Sequence, residues 1–521
     1  MSHNFTSIPS NDSPSLLWID QSFLSPKYAV SFITAILGLA WVSWKQWIEK
    51  PKLIPGIYVV GGGSKSQIIK SRENFRVASR EMVLEGYERS SGNEFFYVPS
   101  RAGERLVMPS HFIEELKSAP MDKVDFIGIV RDLMEGDYTG IGHRSRLHPD
   151  TLKLGLTPKV SSMMPEVQDE VDVAFRDAFP ACEDWTEIEL LPVFANIVAR
   201  ASSRMMGGKP LSRDKEWIQA SIDFSHCALS GSQKIKSLHW LVRPLLAPWI
   251  REVYKDIPNC GLIAERVTKP LLEQRRRYNE WPNDFLTLLW DAAKGEEQED
   301  KFLASRILLT AFASIHTSTA AIMQFIMDLC EHPECIDIMK EEYSTLIDEK
   351  GFVPLGGFSR LPKMDSCMKE SQRFWPATVL TFERIINEDR TLSNGLTVPA
   401  GHRVAVCNYG VNMDPNIFPE PEKFDGLRFE KLRQKFPALQ GRTQFVACNR
   451  TSLNFGYGRH ACPGRAFFAE EYKAIMIRLL ETFEIKFPPG KGRPPTLEFE
   501  THYIVNPDSK VMFRRRKTTS I

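Results

Sequence analysis

The stretch NFGYGRHACPGR, at positions 454–465, is the most specific pattern in the chain and decides its fold. It is a glycine-rich loop that is predicted to run into a helix. Gly456 and Gly458 can take positive φ angles, which lets the backbone approach a flat partner closely. Pro463 suits the first position of a helix, so Cys462 is expected at the positive end of that helix. There the backbone N–H groups favour a thiolate.

A thiolate presented by such a loop is a good axial ligand for haem iron, because the N–H donors tune the electron donation of the sulfur. Either Arg459 or His460 could then neutralise a haem propionate. The alternative for a lone cysteine is a buried structural thiol. We expect that alternative for the other eight cysteines, at positions 182, 227, 260, 330, 335, 367, 407 and 448.

The composition around this loop is that of an ordinary globular protein. The 521 residues are 43% hydrophobic and 25% charged, which excludes a disordered, collagen-like or disulfide-stapled chain. Basic and acidic residues balance at 66 and 65, so a nucleic-acid-binding protein is not expected. The nine cysteines include no C-x-x-C pair, which disfavours a zinc ribbon and a disulfide framework and favours a reducing compartment.

A membrane anchor is predicted at residues 28–48. The stretch between Lys27 and Lys45 has no charged residue, and extension to Ile48 gives the roughly 20 residues that cross a bilayer. Tryptophans cluster at its end and lysines follow, which places the rest of the chain in the cytosol. A cleaved signal peptide fits poorly, because a mostly polar tail precedes the stretch. The alternative is a buried core helix.

This topology divides the chain into a lumenal tail (1–27), the anchor (28–48) and a cytosolic domain (49–521). Two N-glycosylation sequons, at Asn4 and Asn11, fall on the lumenal side and support the topology only weakly.

A second apolar run, Ile307–Met327, has no acidic residue, lysine or arginine. Its length suits a membrane span, but its several hydroxyl, histidine and glutamine side chains would need partners in lipid. A helix through the middle of a large core satisfies the same pattern, and we favour that interpretation.

The remainder reads as mainly helical with a small β region. The sequence Asn394-Gly395, within Thr378–Val406, predicts a β-hairpin. Amphipathic periodicity predicts helices over Met164–Phe179, Leu303–Cys330, Cys335–Leu346 and Ala466–Phe483.

The loop at 454–465 resembles the haem-binding loop of the cytochrome P-450 superfamily. Phe455, Gly458, Cys462 and Gly464 stand at the spacing of that loop. The usual arginine of the family falls on His460, with Arg459 beside it, so either base could meet the propionate. The resemblance implies the cytochrome P-450 fold, mainly α with a small β region, preceded by the transmembrane anchor.

A carboxylate and a guanidinium lie three residues apart at Glu370 and Arg373. Considered alone, the two residues predict an exposed ion pair that contributes about 0–1 kcal/mol to the folding free energy. In the family the same Glu-x-x-Arg motif is buried and is joined by a later arginine. The resemblance therefore implies a structural triad with Arg428, on the haem side of the fold.

The run Ile307–Met327 resembles the long helix that crosses over the haem in the family. Thr317 falls on the threonine that handles protons for oxygen activation, while Ser314 replaces the usual glycine and His316 the usual acid. A histidine can carry protons near neutral pH. The alternative for His316 is a core histidine whose ring meets a backbone carbonyl.

Further site residues follow from the resemblance. Arg384 falls where the family often has a propionate ligand, and His148 and Lys153 resemble the helix that contacts the other propionate. A mostly apolar pocket, suited to a bulky lipophilic substrate that partitions from the membrane, is expected from Phe312, Ala313, Ala377, Thr378, Val379, Leu380, Ile504 and Val505. The alternative for each pocket residue is plain core.

The resemblance implies a haem-thiolate monooxygenase of the endoplasmic reticulum membrane, with its catalytic domain in the cytosol. It would use haem b (iron protoporphyrin IX), O2 and electrons from NADPH delivered by NADPH–cytochrome P-450 reductase. The substrate would be a lipophilic small molecule, such as the terpenoids or related metabolites that fungal microsomal members oxidise. Two alternatives stay open: a haem-thiolate isomerase or dehydratase that needs no reductase, and a non-enzymatic haem-binding membrane protein.

Overall fold

The chain divides at residue 50 into two units, and the functional site lies in the second, residues 51–521. The computed structural model describes residues 53–239 and 241–517, together with positions 34, 36–38, 40 and 41. The predicted lumenal tail (1–27) and most of the predicted anchor (28–48) lie outside the described residues. The six described positions within the anchor are helical and exposed.

The second unit is mainly helical, as the sequence predicts. Helices of eight residues or more in the described part are α1 Lys65–Phe75, α2 Ser79–Arg89, α3 Ile127–Met134, α4 Val160–Ala178, α5 Leu190–Gly207, α6 Lys215–Ser237, α7 Ile257–Tyr278, α8 Phe285–Ala292, α9 Asp300–Glu331, α10 Glu334–Ser344, α11 Pro362–Phe374, α12 Arg428–Lys435 and α13 Arg465–Thr482. Shorter helical turns lie between them, among them a π-helical turn at Thr151–Leu156.

The helix α9 runs through the centre of the core. It packs against α5, α6 and α7, and residues along most of its length, such as Ile315 and Phe325, are fully buried. Among the described residues, α9 is the one helix long and apolar enough to cross a membrane. Because it is enclosed by other helices, the structure favours the core helix over the membrane span.

The strands form one sheet of six and several smaller sheets. The strands are β1 Tyr58–Val59, β2 Phe96–Val98, β3 Arg105–Val107, β4 Val124–Asp125, β5 Thr186–Glu189, β6 Leu380–Ile386, β7 Arg390–Thr391, β8 Thr397–Val398, β9 Arg403–Cys407, β10 Phe483–Lys486, β11 Leu497–Phe499, β12 His502–Ile504 and β13 Lys510–Arg515. The largest sheet has the order β1-β2-β3-β9-β6-β4, a second has the order β10-β13-β5, and β11-β12 and β7-β8 form two-stranded sheets.

The predicted hairpin at Asn394-Gly395 is confirmed. It joins β7 and β8, which pair antiparallel. Gly395 has φ +84°, the left-handed conformation that glycine adopts without steric cost. The four predicted helices correspond to α4, α9, α10 and α13, with ends that differ by a few residues, as helix boundaries usually do.

Candidate functional site

The cysteine loop, residues 454–465, folds back on itself around two glycines. The Cys462 backbone N–H donates to the Phe455 carbonyl at 2.8 Å, which closes the loop. Gly456 has φ +68° and Gly458 has φ +77°. A Cβ atom on Gly458 would also lie 2.6 Å from the Cβ of Lys117, so glycine is required there for two reasons.

The helix that follows the loop begins later than the sequence indicates. Pro463 does not occupy its first position, because α13 begins at Arg465 and Gly464 is the N-cap. The turn at Pro463 and Gly464 instead places the first N–H groups of the helix end near the sulfur. Burial raises the pKa of the Cys462 thiol, and the nearby N–H groups of Gly464 and Arg465 partly offset that rise.

A cavity of about 1430 Å³ lies against this loop. Its volume exceeds that of a typical small-molecule pocket, so it has room for a large flat group and a second molecule. The cysteine loop contributes Phe455, Gly456, His460, Cys462 and Gly464 to the wall, and α9 contributes Ala313, Ser314, His316 and Thr317.

One face of α9 opens onto the cavity. Ala313 and Thr317 are exposed although Ala311, Ile315 and Ser318 on other faces of the helix are buried, and residues four apart share a helix face. The Thr317 hydroxyl donates to the Ala313 carbonyl at 2.8 Å. The Ser314 hydroxyl donates to the Ala311 carbonyl at 3.3 Å. Thr317 thus presents its hydroxyl oxygen from the same wall as Ala313.

The side chain of His316 is held by a neighbouring helix. Its Nε2 atom lies 3.0 Å from the carbonyl oxygen of Ile222 in α6, and its ring meets His226 edge-on at 4.8 Å between centroids. Burial lowers the pKa of His316, so the ring is neutral at pH 7 and donates to that carbonyl. This is the arrangement of a core histidine with a backbone partner, rather than that of a free proton carrier.

A buried guanidinium without a carboxylate partner lies near the cysteine loop. Arg384 is 4% exposed, and its one hydrogen bond within the described part of the chain goes to the Glu383 carbonyl at 2.8 Å. Among the described residues, no acidic group lies within ion-pair distance of it. A register shift in β6, with Phe382 at φ +52°, precedes it, and such bulges re-aim side chains at functional sites. Burial lowers the pKa of Arg384 to about 10.

Of the two candidate bases in the loop, only His460 borders the cavity. Its ring and the Arg384 guanidinium both lie against Phe126, at 5.1 Å and 4.9 Å from the ring centroid. Burial, Arg384 and Arg459 lower the pKa of His460 to about 4. Arg459 is exposed and donates to the Ser118 carbonyl at 3.5 Å.

The structure does not bring His148 and Lys153 to the cavity wall. Lys153 is exposed on the π-helical turn. The Nδ1 atom of His148 is buried without a hydrogen-bond partner, and burial together with the nearby Arg306 lowers the pKa of this histidine to about 4.

Glu370, Arg373 and Arg428 form a buried triad. The Glu370 carboxylate accepts from Arg373 Nη2 at 2.8 Å and from Arg428 Nε at 3.1 Å. Arg373 also donates to the Asn412 carbonyl at 2.8 Å. The structure thus brings Arg428 to a motif from which it is 58 residues distant in the sequence, counted from Glu370.

The triad reaches the cysteine loop through three asparagines that the sequence did not single out. Asn412 donates to the Arg373 carbonyl at 3.1 Å and to the Asn454 side-chain oxygen at 3.3 Å. Asn408 donates to the same oxygen at 2.9 Å. Asn454 is the first residue of the loop and borders the cavity. Because asparagines are common in turns, no signal in one sequence distinguishes these three.

Some of the residues predicted for the substrate pocket line the cavity, and others do not. Ala313, Ala377, Thr378, Ile504 and Val505 line the cavity. Contrary to the expectation, Val379 and Leu380, at the start of β6, lie in a packed apolar cluster with 0% and 1% exposure. Phe312 packs edge-on against Phe224 at 5.8 Å instead of facing the cavity.

The part of the cavity wall formed by α3 and the end of α6 is charged, which the sequence did not predict. We call it the charged end. Ion pairs there join Arg403 to Asp132, Arg131 to Asp137, and Arg243 to Glu135. The participants come from three separate stretches of the chain, around positions 131–137, 243 and 403, so no local sequence pattern predicts the pairs.

The comparison with known families agrees with the geometry of the cysteine loop. A family model described as cytochrome P-450 matches residues 141–514, a range that includes α9, the triad and Cys462. The chain belongs to the cytochrome P-450 family. The predicted resemblance is therefore confirmed, and as a member the protein is a haem- and iron-containing monooxygenase, an oxidoreductase.

Relatives of this P-450 include several fungal enzymes. A cytochrome P-450 monooxygenase of Emericella nidulans is 31% identical over 99% of this chain and 96% of its own. A cytochrome P-450 monooxygenase of Botryotinia fuckeliana is 31% identical over 84% of this chain and 89% of its own. The ent-kaurene oxidase of Gibberella intermedia is 30% identical over 84% of this chain and 83% of its own.

A solved structure shares the fold. The retinoic acid-bound cyanobacterial CYP120A1 superposes with a TM-score of 0.65 at 18% identity, over 86% of this chain and 96% of that one. At this identity the likeness concerns the fold alone. It confirms the mainly helical P-450 fold with small sheets.

The residues around Cys462 fit the haem that the family carries. The cavity of about 1430 Å³ offers enough volume for a porphyrin beside the sulfur, and the N–H groups of Gly464 and Arg465 lower the pKa of that thiol against the effect of burial. The buried guanidinium of Arg384 lacks an anion, which is costly unless a ligand supplies one. A propionate is such an anion.

Proposed function

We propose that this P-450 inserts oxygen into a lipophilic small molecule, using O2 and NADPH-derived electrons that a reductase delivers. The observation that carries the proposal is that Cys462 and Thr317 border the same cavity. One wall offers a thiolate ligand, and α9 offers a hydroxyl group that can handle protons.

In this proposal haem b is held by the cysteine loop. Cys462 would hold the iron through its sulfur, and the N–H groups of Gly464 and Arg465, which lower the pKa of that thiol, would favour the thiolate. Arg384 and His460 are the candidates for its propionates, with Arg459, His148 and Lys153 less favoured by their positions. A thiolate-bound haem supplies the electron density that favours O–O bond cleavage.

Thr317 would hold a proton at the cavity wall. Its hydroxyl hydrogen points to the Ala313 carbonyl, which leaves the oxygen lone pairs free to accept from water or from a bound molecule. Rotation about one bond redirects the hydrogen into the cavity. Thr317 is exposed on the cavity face of α9, whereas Ser314 and His316 are half-buried, so Thr317 is the residue of the motif most available for proton transfer.

The substrate class is proposed from the wall and from the relatives. Phe455, Phe467, Phe468 and Ala377 give the cysteine side of the cavity an apolar surface, which suits a bulky lipophilic molecule. One relative is named for the terpene ent-kaurene, and other relatives are fungal monooxygenases. A terpenoid or a related fungal secondary metabolite is therefore the proposed substrate.

We also propose a single-pass location in the endoplasmic reticulum membrane, with residues 28–48 as the anchor and Asn4 and Asn11 on the lumenal side. Exposed apolar side chains between α6 and α7, at Leu245 and Trp249 with 71% and 79% exposure, support contact with a membrane surface. Carbonate extraction of membranes and glycosidase treatment test the anchor and the sequons, respectively.

The test is turnover of the full chain in membranes with a fungal cytochrome P-450 reductase, NADPH and a panel of terpenes. We expect NADPH and O2 consumption that depends on substrate, and a product that has gained one oxygen atom. Product formed without reductase would instead identify an isomerase or dehydratase. Haem uptake without any conversion would indicate the non-enzymatic haem protein.

A further inference from the structure

The charged end of the cavity contains a cation that its neighbours do not neutralise. Three of the arginines that line the cavity are engaged there: Arg403 binds Asp132, Arg131 binds Asp137, and Arg243 binds Glu135. Lys236 also lines the cavity. Among the described residues, no carboxylate lies within 4.0 Å of its Nζ atom.

Lys236 is aimed at the cavity by the helix that carries it. In α6 the positions that line the wall include His226, Leu229, Gln233 and Lys236, and their spacing of three and four residues defines one helix face. The ammonium donates one bond, to the Leu133 carbonyl of α3 at 2.8 Å. Since an ammonium has three N–H donors, two remain for a molecule in the cavity.

The surroundings make this ammonium costly to leave without an anion. Lys236 is partly buried, and burial lowers its pKa, against the opposing effect of Glu500 and Glu135. Glu135 is already engaged by Arg243 at 3.1 Å, and Glu500 stays beyond ion-pair distance. A desolvated cation gains most from an acceptor that brings its own negative charge.

We propose that Lys236 binds a carboxylate of the substrate, so that this P-450 takes lipophilic carboxylic acids. This inference rests on the proposed function and narrows its substrate class. His226 of α6 contacts His316, the neighbour of Thr317 in α9. At the usual rise per residue, Lys236 lies about 15 Å further along α6 than His226. The carboxylate is thus bound at a distance from the carbon that is oxidised.

The test compares two acids with their esters: palmitic acid with methyl palmitate, and dehydroabietic acid with methyl dehydroabietate. Binding to the haem-loaded full chain is measured by the substrate-induced spin-state change and by calorimetry. We expect at least one acid to bind about tenfold or more tightly than its ester, as suits a charge-assisted hydrogen bond.

Four variants locate the effect. Lys236→Gln keeps a donor for the Leu133 carbonyl but removes the charge, so the preference for the acid should be lost while ester binding is unchanged. Lys236→Arg should retain the preference. Glu500→Gln removes a repelling carboxylate and should strengthen acid binding severalfold. Lys234→Met is the matched control, because Lys234 pairs with Glu252 and does not line the cavity; it should change nothing.

Three results would overturn the inference: equal binding of acid and ester by the wild-type chain, equal weakening of both by Lys236→Gln, or no binding of either pair. Equal weakening would mean that Lys236 only holds α3 in place. Oxygenation of neutral terpenes without an acid preference would reject this inference and leave the proposed function standing. Tight acid binding with no NADPH-dependent oxygenation would reject the proposed function instead.

Discussion

The two ends of the cavity are built in different ways. At the cysteine loop the site is formed mainly by the main chain. Two glycines at positive φ close the turn, and two backbone N–H groups lower the pKa of the Cys462 thiol. At the charged end the surface consists of side chains from separate segments, joined by partly exposed ion pairs such as Arg403–Asp132. A backbone-built site tolerates few substitutions, whereas a side-chain-built site can change its ligand while the fold stays the same.

The cysteine loop also rests on a buried scaffold, whereas the ion pairs described at the charged end are partly exposed. The Glu370 triad binds Asn412, and Asn412 binds Asn454 at the start of the loop. Substitutions along this path should therefore reduce folding and haem retention. Substitutions at the charged end should alter substrate choice.

The largest effect is expected for Glu370→Gln. It leaves Arg373 and Arg428 buried without their carboxylate, and breaking a buried pair costs about 3–5 kcal/mol. We expect a large loss of unfolding free energy in urea and little haem-loaded protein. Glu341→Gln is the control, because its partner Lys363 lies 3.6 Å away and the Glu341 side chain is 78% exposed. Equal stability of the two variants would show that the triad does not support the fold.

Gly458→Ala should be the next most damaging. The new methyl group would meet Lys117 and would force a side chain into the left-handed region, with an expected cost of about 2 kcal/mol or more. Gly464→Ala is matched to it, since Gly464 has φ −88° and open space around its Cβ position. Unfolding of the haem-free chain should separate the two variants, and identical curves would contradict a loop fixed by its backbone.

Thr317→Ala should leave folding and haem content unchanged and should uncouple oxygen consumption from product. The hydroxyl is lost from the cavity wall, and a positioned proton donor typically contributes a factor of about 10²–10⁴ to a rate. We expect more hydrogen peroxide and at least about tenfold less product per O2. Thr317→Ser keeps the hydroxyl and should stay coupled. Normal coupling in Thr317→Ala would remove this residue from proton transfer.

The smallest effect is expected for Asp132→Asn at the charged end. The Asp132 side chain is 46% exposed, and exposed ion pairs contribute about 1 kcal/mol or less. Unfolding free energy and haem content should match those of the wild type within that amount. A loss as large as that of Gly458→Ala would mean that the two ends support the fold equally.

Much of the cysteine end could be predicted because its determinants are local. The spacing in 454–465 and the Glu-x-x-Arg motif each fit within a few residues, and the apolar run of α9 is continuous. The positions of the other side chains depend on packing between segments that are distant in the sequence, which local patterns do not reveal. The carbonyl of Ile222 holds His316, the start of β6 buries Val379 and Leu380, and Lys236 faces the cavity only because α6 crosses it.

The most direct test of the central claim, that Cys462 ligates the haem iron through its sulfur, is the absorption spectrum of the reduced protein with carbon monoxide. The wild-type chain should show the strongly red-shifted Soret band of thiolate-bound ferrous haem. Cys448→Ala, which removes another cysteine close to the loop, should keep that band, and Cys462→Ala should lose it. Retention of the band in Cys462→Ala would contradict the assignment.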